Sequence, residues 1–287
     1  MKLAGKFAVV TGASQGLGYA IARRFVQEGA SVLLCSRTAG DLDAAAERVR
    51  AAAAPGAQVL AERADVSSEA DVGRLATIIE TQFGKLDILV SNAGVLGPKG
   101  AIDEVAWSDW SLAISINLMG TVLCCRAFLP LLRQSARGKI LLVSGGGATK
   151  PRPFLSAYAA SKAAVVRFGE NLSEELREAG IDVNSIAPGA LNTRLLEEVL
   201  AAGPEKVGRS EYEAALRQKQ SGGSPVERGA ELCVYLASSD SDGITGKLIS
   251  AVWDPWTDFA AHRQDLEKTD IYTLRRIVPG ERGLPWG

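Results

Sequence analysis

A chain of 287 residues, 47% of them hydrophobic, is long enough to bury a sizeable core in one large domain or two small ones. Its 32 basic and 33 acidic side chains give a net charge of −1, so neither a nucleic acid nor an acidic membrane surface is an expected partner. The single histidine, His262, excludes a histidine-based metal cluster, and we expect the four cysteines, which lack metal or redox spacing, to be reduced.

The first residues lead straight into a strand, without the apolar region of a signal peptide. No apolar run in the sequence approaches the ~20 residues that a membrane-spanning helix needs. We therefore expect a cytoplasmic protein without a membrane partner.

A glycine-rich turn follows the first predicted strand, Phe7–Val10. Residues 11–18 read Thr-Gly-Ala-Ser-Gln-Gly-Leu-Gly, and a helical pattern from Tyr19 to Gly29 comes next. A strand, a turn and a helix in this order bring backbone N–H groups and a helix N-terminus up to a phosphate, and glycine permits close approach. The pattern predicts a dinucleotide site; the alternative is only a tight turn.

The residues after the second predicted strand, Ser31–Cys35, bear on the choice of cofactor. In a doubly wound sheet the adenosine ribose lies at this strand end, where a carboxylate would bind the 2′-hydroxyl of NAD. The sequence has Ser36 and Arg37 there instead. Because an arginine can stack on adenine and pair with a 2′-phosphate, the pattern favours NADP over NAD, with a plain surface arginine as the alternative.

The remaining chain alternates helical and strand patterns, which predicts an α/β fold of the Rossmann type with a doubly wound parallel sheet of about seven strands. Ser67 or Ser68 is expected to cap the third helix. Residues 194–224 are expected to form a mobile, partly helical flap over the site. We expect one domain over residues 1–252 and a C-terminal extension over residues 253–287. In chain order the other elements are helix Ala39–Ala54, strand Gln58–Ala61, helix Ser67–Phe83, strand Leu86–Val90, helix Trp107–Gln134, strand Ile140–Val143, a helix to about Ala179, strand Ile181–Ile186, helix Val226–Ala237 and strand Gly246–Val252.

Tyr158 and Lys162 lie four residues apart in a helical segment. Residues at this spacing lie one turn apart on the same face, so the phenol and the ammonium point in one direction. A nearby ammonium favours the phenolate and lowers a phenol pKa that is about 10 in water, which makes the tyrosine a usable general acid or base. The alternative is a half-buried tyrosine beside a solvated lysine.

Together these motifs resemble those of the short-chain dehydrogenase/reductase family over nearly all of residues 5–250. The resemblance implies a nicotinamide cofactor and a homodimer or homotetramer. It also implies that Tyr158 donates the proton, that Lys162 holds the nicotinamide ribose and lowers the tyrosine pKa, and that Asn117 positions a water. The matching motifs are Thr11-Gly12-x-x-x-Gly16-x-Gly18, Asp65-Val66, Asn92-Ala93-Gly94, Asn117, Tyr158-x-x-x-Lys162 and Pro188-Gly189…Thr193.

The same resemblance implies that the glycines line the pyrophosphate, that Asp65 and Val66 hold the adenine, that Asn92 lies near the ribose and that Thr193 binds the carboxamide. The expected catalytic residues are Asn117, Ser144, Tyr158 and Lys162. The expected cofactor-binding residues are Gly12, Ser14, Gln15, Gly16, Leu17, Gly18, Ser36, Arg37, Asp65, Val66, Asn92, Ala93, Gly94, Tyr158, Lys162, Pro188, Gly189 and Thr193.

The sequence departs from the family pattern in two places. The family's catalytic serine follows the fifth strand, and without gaps its position holds Gly145, one residue after Ser144. Since a run of three glycines costs little to rearrange, we expect a shift that lets Ser144 fill the role; an altered donor is the alternative. The second departure is the extension from Trp253, which is too apolar for a disordered tail. We expect it to pack over the substrate mouth or across a subunit interface, rather than fray.

The sequence therefore predicts an NADP-dependent oxidoreductase that moves a hydride between nicotinamide and a small-molecule carbonyl or secondary alcohol, with Tyr158 as general acid or base. The alternative is a dinucleotide-binding sensor or interaction protein of the same fold, which would have no chemical need for Tyr158, Lys162 and Asn117 together. Cations that could meet a carboxylate or phosphate, or are merely solvated, are Lys150, Arg152, Arg194, Lys206 and Arg209.

Overall fold

The computed structural model describes residues 1–286, which contain one sheet of seven parallel strands. The strands lie in the order β3-β2-β1-β4-β5-β6-β7, so the chain changes direction along the sheet between β1 and β4. This arrangement confirms the predicted Rossmann-type doubly wound sheet, whose ligand crevice opens at the carboxyl ends of the strands at that switch point. The strands are β1 (Phe7–Thr11), β2 (Ser31–Ser36), β3 (Val59–Arg63), β4 (Ile88–Ser91), β5 (Lys139–Val143), β6 (Asp182–Ala187) and β7 (Lys247–Ser250).

Helices cover both faces of the sheet, and successive side chains of β1 show why the strand is apolar throughout. Val10 belongs to the core cluster beneath α1 and α9, whereas Val9 belongs to the cluster beneath α3 and α4. Because neighbouring side chains point to opposite faces, a strand covered on both sides needs apolar residues at every position. The helices are α1 (Gly16–Gln27), α2 (Ala39–Ala51), α3 (Glu69–Phe83), α4 (Trp107–Leu132), α5 (Ser156–Glu175), α6 (Arg194–Ala202), α7 (Pro204–Val207), α8 (Arg209–Ser221), α9 (Val226–Ala237) and α10 (Arg263–Lys268).

One predicted helix cap is confirmed, whereas the bounds of some elements differ from the predictions. The Ser68 hydroxyl accepts the Asp71 N–H at 3.3 Å, which confirms the expected cap of α3. Strand β3 extends to Arg63, beyond the predicted end at Ala61, because its ladder with β2 continues to the end of that strand. Residues 194–224 hold three helices, α6 to α8, and are more regular than the partly helical flap predicted; their mobility stays a prediction.

Helix α4 is long and apolar enough to cross a membrane by length and composition. The expectation that no apolar run approaches that length is therefore wrong for this segment. A helix in the core of a folded domain meets the same two criteria, and α4 buries Cys124, Phe128 and Leu132 against the sheet. This packing accounts for its apolar composition.

The segment after β7 packs on the open edge of the sheet. Trp256 and Phe259 are buried in the cluster that α1 and α9 share. The backbone N–H of Leu248 in β7 donates to the Tyr272 carbonyl at 2.7 Å, so the segment pairs part of an edge that would otherwise be exposed. The division of the chain at residue 252 into a domain and an extension stays a prediction.

Candidate functional site

A cavity of about 1130 Å³ opens at the carboxyl ends of the strands. It runs from Arg37 after β2, past the glycine-rich turn after β1, to Trp253 after β7. All the residues expected to bind cofactor or to take part in catalysis line this cavity, except Gly18 and Asn117. The fold collects them because the carboxyl ends of parallel strands share one edge of the sheet.

The glycine-rich turn fits closely against the segment after β4. A Cβ on Gly12 would lie 2.8 Å from the Ala93 Cα, and one on Gly18 would lie 2.5 Å from the Asn92 side-chain nitrogen. That nitrogen donates to the carbonyls of Thr11 at 2.9 Å and Gly12 at 3.1 Å. Asn92, expected near the cofactor ribose, therefore uses its amide to hold the turn. Gly12 and Gly18 are therefore needed where the turn packs against the segment after β4. The turn lines the cavity at the start of α1, where backbone N–H groups and a helix N-terminus fit the pyrophosphate of a dinucleotide.

The adenosine end of the cavity combines hydroxyl, carboxylate and guanidinium groups. The Ser36 hydroxyl donates to Ser14 Oγ at 3.1 Å, and Arg37 is exposed beside it. Burial alone would raise the pKa of the Asp65 carboxyl, but hydrogen bonds from the Ser67 hydroxyl and N–H, with the charge of Arg37, lower it below its ordinary value. Asp65 therefore stays ionised and can accept a hydrogen bond, while Arg37 offers a cation.

Tyr158 and Lys162 do lie on one face of α5, but burial dominates their titration. The Lys162 ammonium donates to the Val143 carbonyl at 2.8 Å, and burial lowers the pKa of Lys162 to about 8. Its Nζ lies 5.9 Å from the centroid of the Tyr158 ring. Burial raises the pKa of the Tyr158 phenol, and the charge of Arg152 acts in the opposite direction. The expected lowering of the Tyr158 pKa by Lys162 is therefore wrong. Desolvation of the buried phenol raises that pKa more than the charge of a nearby cation lowers it.

Asn117 lies in a π turn, Ser115–Met119, in the middle of α4. Its buried amide nitrogen donates to the Val95 carbonyl and to the Ser161 hydroxyl, both at 2.9 Å, and its oxygen accepts the Val95 N–H at 2.8 Å. These contacts tie the segment after β4 to α5, the helix that carries Tyr158. Asn117 therefore orients the helix that carries Tyr158, and its expected role in positioning a water stays a prediction.

Gly145, not Ser144, lies beside the phenol of Tyr158. A Cβ on Gly145 would be 2.7 Å from Tyr158 Oη, whereas the buried Ser144 hydroxyl donates to the Lys162 carbonyl at 3.3 Å. The Ser144 N–H donates to the Ile186 carbonyl at 2.8 Å and so continues the ladder between β5 and β6. This bond opposes the shift that would bring Ser144 to the phenol, so the loop keeps its ungapped register, contrary to expectation.

The part of the cavity next to Tyr158 is built from distant parts of the chain. Arg152, in the loop between β5 and α5, forms an ion pair with Glu211 of α8. Its Cζ lies 5.4 Å from the centroid of the Tyr158 ring. Glu211 gave no signal in the sequence, because it is one of several charged residues in a polar helix. Of the five candidate cations, Lys150, Arg152 and Arg194 line the cavity, whereas Lys206 and Arg209 are exposed elsewhere.

The tail contributes residues to the wall of the cavity. Trp253, Asp254, Tyr272 and Thr273 all line it, and the Asp254 carboxylate accepts the Ser250 N–H at 2.7 Å. Burial raises the pKa of Asp254 above its ordinary value. Whether the tail packs over the substrate mouth or across a subunit interface stays a prediction.

Comparison with known proteins agrees with this geometry. The family model described as short chain dehydrogenase matches residues 6–203. The chain is 34% identical over 249 residues to oxidoreductase asL5 of Sarocladium schorii, with 87% of this chain and 95% of that protein covered. It is 33% identical over 260 residues to an uncharacterised NAD-dependent oxidoreductase of Mycobacterium tuberculosis, with 86% and 94% covered. The crystal structure of levodione reductase superposes with a TM-score of 0.79 at 28% identity, with 90% and 99% covered.

Proposed function

Because the chain belongs to the short chain dehydrogenase family, an enzyme family that acts on CH–OH and C=O groups with NAD(P), we propose that Tyr158 is its general acid and base. In this proposal a hydride moves between the nicotinamide and a carbonyl or secondary-alcohol carbon. The observation that carries the proposal is the position of Tyr158, whose phenol lies in the cavity that the glycine-rich turn and Lys162 also line. Gly145, which places no hydroxyl beside the Tyr158 phenol, is the observation that favours the alternative sensor role, and the ketone assay described below decides between the two.

Each residue next to the proposed reacting centre has its own role in this proposal. When bound, the nicotinamide supplies or accepts the hydride. Tyr158 keeps its proton at neutral pH because burial raises its pKa, so it is ready to donate to a carbonyl oxygen during reduction. The Lys162 ammonium lies beside Gly94, where an added Cβ would be only 3.4 Å from its Nζ, and it can donate to a ribose hydroxyl in the adjoining space.

We include a preference for NADP in the proposal. An exposed guanidinium at Arg37 and a hydroxyl at Ser36 stand where a carboxylate would be needed to bind a 2′-hydroxyl. A 2′-phosphate gains from that guanidinium through charge-assisted hydrogen bonds. The opposing observation is that at least one relative bears the name of an NAD-dependent enzyme, so the preference needs a direct measurement.

We also propose a homodimer or homotetramer in the cytoplasm, acting on a small carbonyl or alcohol. Trp107, Leu112 and Met119 of α4 are about half exposed or more, and such apolar side chains are typical of a surface that a second copy covers. The four cysteines are free and buried, which fits a reducing compartment.

The test is consumption of NADPH and of NADH with a panel of ketones, with Tyr158→Phe as the matched variant. The proposal expects turnover of at least one ketone by the wild-type enzyme and a loss of ~10²-fold or more in the variant. Equal turnover by the two proteins would remove Tyr158 from the mechanism.

A further inference from the structure

Arg152 lies next to the reacting centre, yet the proposed hydride transfer gives it no role. Two cations approach the Tyr158 ring: the Lys162 Nζ at 5.9 Å and the Arg152 Cζ at 5.4 Å from the ring centroid. Lys162 is buried and donates to a backbone carbonyl. Arg152 instead lines the cavity on the substrate side, and 24% of its side chain is exposed.

The hydrogen bonds of Arg152 leave most of its donors available. A guanidinium carries five N–H donors in a planar fork that matches the two oxygens of a carboxylate. Within residues 1–286, the guanidinium of Arg152 donates through one nitrogen to one oxygen of Glu211. A single-point contact of this kind leaves the second nitrogen of the fork for a ligand that enters the cavity.

Its position over the Tyr158 ring distinguishes Arg152 from the other cations that line the cavity. Lys150, which forms no ion pair within residues 1–286, does not lie over that ring, and the flap charges are paired elsewhere. Arg194 pairs with Glu198 at 3.4 Å, and Lys99 pairs with the same carboxylate at 3.1 Å. Two flap carboxylates, Glu197 and Glu211, line the cavity, and Glu197 pairs with Lys219 at 3.0 Å. These pairs join residues of the flap to each other or to the loop after β4, away from the Tyr158 ring.

Residue 145 adds a reason for a second anchor on the substrate. Glycine at that position places no hydroxyl beside the Tyr158 phenol, so a substrate carbonyl loses one hydrogen-bond donor that would fix its orientation. Binding energy from a remote group of the substrate can replace that orientation.

We propose that Arg152 binds a carboxylate of the substrate and that Glu211 holds the guanidinium until the substrate replaces it. The enzyme then prefers keto acids, or the corresponding hydroxy acids, over neutral ketones of the same shape. Because the guanidinium lies over the ring of the proton donor, only a few bonds separate the substrate carboxylate from its carbonyl. The proposal rests on the proposed hydride transfer.

The test compares acetoacetate and levulinate with neutral ketones in which an isopropyl group replaces the carboxylate. The readouts are kcat/KM for each pair and the affinity of the enzyme for levulinate by calorimetry. We expect the wild-type enzyme to favour at least one keto acid over its neutral partner. In Arg152→Met that preference should fall by about 10- to 100-fold, the range for hydrogen bonds between charged groups, and levulinate affinity should fall in parallel. Arg152→Lys keeps the charge but not the planar fork of donors, so its preference for the keto acid should lie between those of the wild-type enzyme and Arg152→Met.

Two further variants distinguish binding of the substrate carboxylate by Arg152 from a general loss of enzyme activity. Glu211→Gln removes the competing carboxylate, so it should raise the ratio of kcat/KM for the keto acid to kcat/KM for the neutral ketone. Lys150→Met removes an exposed cation of the same cavity and should change the preference little. The inference is overturned if Arg152→Met lowers kcat/KM equally for the keto acid and the neutral ketone. It is also overturned if Glu211→Gln lowers kcat/KM for the keto acid as much as Arg152→Met does, or if Lys150→Met reduces the preference for the keto acid as much as Arg152→Met does.

The same assay distinguishes this inference from the function on which it rests. If neither member of any pair is turned over with either nicotinamide cofactor, the proposed hydride transfer fails. If neutral ketones are reduced as well as keto acids and Tyr158→Phe abolishes both, hydride transfer stands and the role of Arg152 is wrong.

Discussion

A methyl group at residue 145 is the most direct perturbation of the catalytic geometry. In Gly145→Ala the new Cβ would lie 2.7 Å from Tyr158 Oη, which is 0.7 Å short of the 3.4 Å at which ordinary van der Waals contact begins. The ring cannot simply move away, because Tyr158 is only 8% exposed and belongs to a packed core cluster. The phenol or the loop must therefore shift by several tenths of an ångström.

Such a displacement acts on the atom that transfers the proton. Misplacing a reacting group by about 1 Å can cost about 10²-fold in rate, so we expect kcat to fall about 10- to 100-fold in Gly145→Ala. The assay is steady-state reduction of a ketone at saturating cofactor, with cofactor affinity and thermal unfolding measured alongside. Cofactor affinity should change little, because the backbone at residue 145 is extended and any residue can adopt it. The unfolding temperature should fall modestly, because the added methyl overpacks the contact with Tyr158.

The chain offers a matched control one residue away. A Cβ on Gly146 would meet no atom within 4 Å, so Gly146→Ala should leave the Tyr158 phenol in place and lower kcat much less than Gly145→Ala does. Ser144→Ala should also be mild, because that hydroxyl donates to the Lys162 carbonyl and not to the substrate side. Wild-type turnover in Gly145→Ala, combined with a hundredfold loss in Ser144→Ala, would refute the register described above.

The other predictions concern proton transfer, cofactor choice, pH and the tail. Tyr158→Phe should lower kcat by ~10²-fold or more with cofactor affinity unchanged, since the ring stays and the proton is lost. Arg37→Ala should raise Kd for NADPH by about tenfold or more and for NADH much less, by titration; equal effects would show that Arg37 only stacks. Because burial lowers the pKa of Lys162 to about 8, its charge is present below pH 8 and lost above it, so reductive kcat/KM should be flat below that pH and fall above it; a profile flat to pH 10 contradicts this. Truncation after Val252 should lower thermal stability, because it removes buried Trp256 and Phe259, and unchanged unfolding would mean that the tail is dispensable.

The elements of the fold were predictable because their signals are local. Strands buried on both faces need uninterrupted apolar runs, and a helix needs only its own periodicity and caps, so both patterns survive without knowledge of neighbours. The spacing of Tyr158 and Lys162 fixes their common helix face for the same reason. The sequence also predicted a tight glycine-rich turn, because glycine permits close approach of the backbone. Only the structure shows that Gly12 and Gly18 approach Ala93 and Asn92 of the segment after β4.

The finer features of the site depend on what surrounds each group. The sequence shows that an ammonium faces the phenol of Tyr158, but the sign of the pKa shift depends on burial, which only the packed structure supplies. Likewise, a run of glycines left the register of Ser144 and Gly145 open. The hydrogen bond that the Ser144 N–H donates to the carbonyl of Ile186, a strand neighbour distant in sequence, decided it.

The ion pair of Arg152 with Glu211 joins residues 59 positions apart, and the sequence around neither residue predicts the other as its partner. Local patterns determine what each segment becomes, because the backbone and nearest neighbours along the chain set them. Desolvation, register and long-range ion pairs arise only when segments meet, and in this protein those contacts shape the chemistry of the site.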